Sequence, residues 1–204
     1  MDADRMEQLE PVFRDALASV AQRLNAFVID GGTDVGVMRL LGRARSALEG
    51  SFPLIGVASF ATVSIPGQAS SARSDAAPLE PHHSHFLLVP GGSWGDEAPW
   101  LSAAASALAG PASSVTVLVN GGEVAYDDVA RSIAANRPTI VVAGSGRTAD
   151  RLVAAINGQA TDERAQALVS SGLVRVAGPV DDADMVAATL SAALSPVQDP
   201  RAPA

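Results

Sequence analysis

The chain of 204 residues contains no cysteine. Disulfides, thiolate nucleophiles and thiolate metal centres are therefore excluded together, and a reducing cytoplasm is the expected compartment. Aromatic residues make up only 4% of the sequence. No apolar run approaches the ~20 residues of a membrane-spanning helix. The opening residues Met1-Asp2-Ala3-Asp4 are acidic, and a polar amphipathic pattern follows, so no secretory leader is expected there. Basic residues are in deficit, with 14 Lys and Arg against 22 Asp and Glu, a net charge of −8. Such a surface does not seek a nucleic-acid backbone. What the chain has in quantity is Ala, Val and Gly within a 48% hydrophobic composition. That suits small-residue helices packed on a parallel sheet, and the length suffices for one domain with its own core.

Hydrophobic periodicity predicts a helix over 5–24, with Met6, Leu9, Val12, Phe13, Leu17, Val20 and Leu24 on one face and Pro11 starting or kinking it. Apolar runs predict six strands, at 26–29, 54–58, 85–89, 115–119, 139–143 and 173–177. Helices are predicted at 33–49, 99–109, 125–135, 147–156, 161–171 and 181–194, with Thr161 capping the fifth of these and Asp181 or Asp182 the last. Residues 61–81 lose all period and read as a long loop, and 196–204 as a disordered tail after a single domain over 1–195. Near-continuous apolar strands alternating with helices define a Rossmann-like, doubly wound α/β fold. It is expected to hold a mostly parallel six-stranded sheet with helices on both faces.

Four of the predicted strands end in doubled or spaced glycines: Gly31-Gly32, Gly91-Gly92, Gly121-Gly122 and Gly144/Gly146. Gly36 follows the first pair. A strand-to-helix turn of this kind brings free helix N–H groups to the edge of a parallel sheet, where phosphate groups bind. Several such turns predict one cleft for a phosphate-bearing ligand. Thr33 and Ser145 offer hydroxyls beside their turns, either to ligand or as N-caps. Arg147 opens a helix, where a cation opposes the dipole. It either grips a ligand anion or pairs with Asp150 on its own helix. Glu123, Asp127 and Asp128 follow the fourth strand and suit a ribose hydroxyl or a general base, although helix starts favour acids in any case. His82, His83 and His85 surround Ser84. Without cysteine or a suitably spaced acid they predict a structural cluster, with no metal.

These pieces occur in a familiar order: Gly31-Gly32-Thr33 with Gly36-Val37-Met38, then Leu54 to Ala58, His83-Ser84-His85-Phe86, Asn120-Gly121-Gly122, and Gly144-Ser145-Gly146-Arg147. The sequence resembles the LSDAT branch of the SLOG superfamily, prokaryotic relatives of the N-terminal domain of melastatin-type TRP channels. The likeness runs over about residues 26–156. It implies a non-catalytic sensor of ADP-ribose or a related NAD-derived nucleotide. Gly31, Gly32 and Thr33 would hold phosphate, Gly121, Gly122 and Glu123 would line the cleft, and Arg147 would contact phosphate or base. Gly36, Ser59, Gly91, Gly92, Gly144, Ser145 and Gly146 complete the implied ligand-binding set. No cofactor beyond the nucleotide, no nucleic acid and no membrane is implied, and a homodimer is left open.

The sequence also departs from the channel domains. Asp30 stands where they usually carry Thr, and Ser59-Phe60 replaces their Pro-Trp. Their aromatic and arginine after Gly95 have no direct counterpart: Trp94 and Trp100 lie near, but no Arg falls between Arg73 and Arg131. The alternative is a phosphoribohydrolase like the LONELY GUY proteins, whose signature is Pro-Gly-Gly-x-Gly-Thr-x-x-Glu. The matching run, Asn120 to Asp128, keeps the two glycines and places Asp128 at the Glu position.

Overall fold

The computed structural model describes residues 3–65, 67, 73–159 and 162–195. The chain opens with a continuous helical segment: α1 (Ala3–Pro11), a π-helical stretch (Val12–Ala18) and α2 (Ser19–Leu24). The sequence expects one helix that Pro11 starts or kinks, and the change to π-helix falls directly after Pro11. The wide π turn advances the buried face, so that Ala16, Ala18 and Ala21 are buried, while Leu24, expected inside, is exposed. Asn25 ends the segment in the left-handed conformation.

Among the described residues eight strands follow where six were expected: β1 (Val28–Asp30), β2 (Leu54–Ser59), β3 (Val63–Ser64), β4 (Ala77–Pro78), β5 (His85–Val89), β6 (Thr116–Leu118), β7 (Thr139–Ala143) and β8 (Val174–Pro179). They do not form the single six-stranded sheet. Two three-stranded parallel sheets, β1-β2-β5 and β6-β7-β8, carry the fold, and β3 and β4 pair separately within the expected long loop. In part that loop, like the Thr161 cap and the 196–204 tail, lies outside the described residues. The helices between are α3 (Gly36–Ala47), α4 (Ala98–Ala109), α5 (Val124–Ala134), α6 (Arg147–Ile156), α7 (Glu163–Val169) and α8 (Ala183–Leu194). Asp162 caps α7 by accepting from the Arg164 and Ala165 N–H groups, and Asp182 caps α8. No described helix is long and apolar enough to cross a membrane.

Two hydrophobic clusters organise the layers. The larger joins the N-terminal helical segment, α3 and α8 to one face of both sheets, through Val28 and Leu54 on the first sheet and Val117, Ile140, Val142 and Ala177 on the second. The smaller packs Tyr126 and Val129 of α5, Ala149 and Leu152 of α6 and Ala165 of α7 onto Leu118, Val141 and Val174. The second sheet is thus covered on both faces. The other face of β1-β2-β5 belongs to neither cluster, and α4 packs beside it against β1.

Candidate functional site

Every pairing within the two larger sheets is parallel, so their glycine turns leave from the strand C-terminal edges. The structure gathers the residues singled out above into three hydrogen-bonded clusters.

The first surrounds Gly31, Gly32 and Thr33. Gly32 adopts φ +66°, and a Cβ there would stand 2.6 Å from the Gly56 Cα on β2. Its missing side chain therefore serves backbone contact between β1 and β2. The Gly32 N–H donates to Asp30 Oδ1 at 2.8 Å, and so does His83 Nε2 at 2.8 Å. His83 Nδ1 faces Glu80 Oε2 at 2.8 Å, and Glu80 Oε1 meets His82 Nδ1 at 2.6 Å. Facing a carboxylate on each side, the buried His83 ring satisfies both only as the doubly protonated imidazolium. Burial opposes that charge, but hydrogen bonds and attraction from Asp30 and Glu80 outweigh it, and the His83 pKa is raised. Gly42 makes room for this network, since a Cβ in its place would lie 1.9 Å from Glu80 Oε2. Thr33 is buried, and neither its hydroxyl nor Asp30 Oδ2 has a partner among the described residues. α3 starts at Gly36 with no side-chain cap, three residues later than the sequence predicts.

The second cluster holds Ser59, Gly91 and Gly92. A Cβ on Gly91 would sit 2.1 Å from the buried Ser59 Oγ, which has no partner among the described residues. The Gly92 and Ser93 N–H groups donate to Asp96 at 2.9 and 3.0 Å, and that of Gly95 to Glu97 at 3.0 Å. The loop amides expected to meet phosphate are thus held by carboxylates of the same loop. Trp94 donates its indole N–H to Asp75, and Arg73 bonds the Gly92 carbonyl. Between this loop and α5 lies an open cleft of about 550 Å3, with Gly91, Trp94 and Pro99 on one wall and Val124, Asp127 and Arg131 on the other.

The third cluster unites Gly121, Gly122, Gly144, Ser145, Gly146 and Arg147. Asn120, at φ +63°, donates its N–H to Ser145 Oγ at 2.9 Å and its amide to the Ser145 carbonyl at 2.8 Å. Ser145 Oγ donates onward to Val142 at 2.6 Å, and Thr148 Oγ1 donates to the Gly122 carbonyl at 2.9 Å. The turns after β6 and β7 are therefore one interlocked unit. Asp150 accepts from the Gly144 and Gly146 N–H groups at 2.8 and 3.1 Å, so it does not pair with Arg147. The Arg147 guanidinium lies instead over Gly122, 3.1 Å from where a Cβ would be, with no hydrogen-bonding or ionic partner among the described residues. Arg147 is itself left-handed, at φ +52°. Glu123 turns away to Arg164 at 2.9 Å and Arg151 at 3.5 Å, and these arginines hold its carboxyl below the usual range.

Asp128 is different. Burial, then repulsion from Glu97 and Asp127, pushes its carboxyl up to about 6, with Arg131 only partly compensating. The sequence named Asp128 but gave no sign of this environment, because Glu97 comes from a distant loop. Asn120, Asp150 and Arg131 were missed as site residues. For Arg131 a signal existed: Val124, Asp127 and Arg131 recur at helical spacing on one face of α5.

Parallel α/β sheets with helix-opening turns at the strand C-terminal edge define the Rossmann-like class of ligand-binding domains. Within that class the chain belongs to the family described as SLOG in TRPM, prokaryote, whose model matches residues 1–188. It is 29% identical over 177 residues to the transient receptor potential cation channel subfamily M member 2 of Rattus norvegicus, covering 70% of this chain but only 12% of the channel. Two solved structures share the fold. The molybdenum cofactor carrier protein of Chlamydomonas reinhardtii has a TM-score of 0.55 at 15% identity, covering 95% of this chain and 91% of that one. The molybdenum cofactor binding protein of Rippkaea orientalis has a TM-score of 0.55 at 12% identity, covering 93% and 89%.

Proposed function

We propose that this domain is a nucleotide sensor that binds ADP-ribose or a related NAD-derived nucleotide and releases it intact. The observation that carries the proposal is Arg147. A guanidinium that makes no ion pair among the described residues is held at a helix start, over a glycine, by a pair of interlocked turns. That is how a protein presents a fork for a phosphate. Membership of the TRPM-type SLOG family, and the likeness to a TRPM2 channel, support a nucleotide as the phosphate carrier. The cleft beside Trp94 offers an aromatic wall for a base or ribose.

Arg147→Ala is expected to weaken ADP-ribose binding by about 2–3 kcal/mol, the worth of a charge-assisted contact and roughly 30- to 150-fold in Kd. The melting temperature of the free protein should barely move. Calorimetric titration of both proteins checks this, and equal affinities would make Arg147 an idle surface residue.

A second proposal rests on Asp128. A carboxyl raised to about 6 beside a cleft has the character of a general acid, as a LONELY GUY-like hydrolase needs. Against it stand the altered signature and the pairing of Glu123 with two arginines. Chromatography of AMP and ADP-ribose after long incubation with excess protein is expected to show no free adenine. Adenine release that disappears in Asp128→Asn would replace the sensor with an enzyme. In either case Asp128→Asn should stabilise the fold at neutral pH. An acid whose pKa is raised on folding destabilises the native state as pH climbs from its ordinary value through about 6.

A further inference from the structure

The face of β1-β2-β5 that turns away from the N-terminal helices carries Ile29, Ile55, Val57, His85 and Leu87, by strand alternation and register. Its C-terminal half is closed, with Val57, Ser59 and Val89 buried. Its N-terminal half and its β5 edge are open: Phe27, two residues before Ile29, is 56% exposed, and Leu87, on β5 opposite buried Val57, is 42% exposed. α4 runs beside it against β1 and joins neither hydrophobic cluster. Its outer row is Trp100, Ala103 and Ala107, with Trp100 at 47% and the neighbouring Leu108 at 43% exposure. Only Ala98 of this twelve-residue helix is buried.

Charge identifies the occupant. The chain carries −8, yet no charged residue occurs from Ala98 to Gly122. Two copies repel each other through most of their surfaces. They can approach closely through a face without charge, and an apolar face that is its own complement suits a two-fold axis. An oppositely charged partner would find nothing here to bind, and an anionic lipid surface would meet a net acidic protein. The segment after Ser195, Pro-Val-Gln-Asp-Pro-Arg-Ala-Pro-Ala, offers one Val as its sole large apolar side chain and makes a poor cover. We propose that the open half of this sheet face, with the uncharged outer face of α4, is the surface on which a second copy of this chain docks.

The test is sedimentation velocity of the full chain at micromolar concentration. A species of twice the 20.7 kDa chain mass is expected, and added salt should not dissolve it. Leu87→Glu and Trp100→Glu should each weaken the dimer roughly tenfold or more, as central apolar anchors do. Both side chains are largely exposed, so the circular dichroism and melting of the monomer should be kept. A chain ending at Ser195 should still dimerise. A monomeric wild-type chain overturns the proposal, whether or not the face then binds its own tail or a lipid vesicle. So does a dimer that survives both substitutions.

Discussion

Glu80→Ala is expected to lower the free energy of unfolding by about 3–5 kcal/mol, the range for leaving a buried charge without its partner. The Glu80 carboxylate faces His83 and His82 and also accepts the His82 N–H, at 2.6–2.9 Å. Its removal leaves the His83 imidazolium with Asp30 as its one remaining carboxylate, its Nδ1 unpaired beside Phe86, whose ring stacks on it at 5.5 Å. A dependence on pH accompanies this. The His83 pKa is raised on folding, so its contribution is complete below the unfolded value of about 6.5 and is lost as pH rises through the higher folded value. The Asp128 effect falls in a different window, ending near pH 6. Urea unfolding at pH 6 and pH 9 should therefore show the wild type weaker at the higher pH and Glu80→Ala less dependent on pH, with Asp30 still attracting the ring. A wild type equally stable at both values would show that His83 is neutral in the native state.

Gly32→Ala is expected to destabilise the protein by about 2–5 kcal/mol, from two additive causes. A left-handed backbone costs an L-residue about 1–2 kcal/mol, and overpacking adds about 1–3 kcal/mol or more. The overpacking meets backbone, 2.6 Å away at Gly56, which has no rotamer to yield. Gly92→Ala is the control: an added Cβ there meets open space, and a change within about 0.5 kcal/mol is expected. Chemical denaturation of the two variants decides it. Equal midpoints would mean that the first turn is loose enough to be reshaped by a ligand.

The element order was legible because strands such as Val141 to Ala143 are unbroken apolar runs and helices such as α6 are strongly amphipathic. Both signals are local. What escaped depends on neighbours remote in sequence. Gly32 reads as a phosphate cradle, and only the structure shows that Gly56 also requires its missing side chain. Asp30 reads as a charge misplaced near phosphate until His83 arrives, 53 residues on. The three histidines look like one group, yet His83 is sealed inside while His85 only reaches Ser84. The two-residue strands β3 and β4 lie in a stretch without period, since ladders so short need no pattern. The division into two three-stranded sheets was also invisible, because an apolar strand looks the same whether a helix or open surface lies over one face. Of the implied binding residues, Gly121 to Arg147 stand together as the spacing suggested. The spacing could not show that Asp150 had already taken the amides of Gly144 and Gly146.

Arg147 repeats a conformation that glycine and asparagine adopt at lower cost. A redesign guided by melting temperature alone would replace it early, and with Gly or Asn should gain a little. The variant would be sturdier but would lack the guanidinium fork that the proposed nucleotide contact requires. The chain thus holds a small reserve of unrealised robustness at one codon, and selection for tolerance to heat would draw on it at the expense of the proposed phosphate contact.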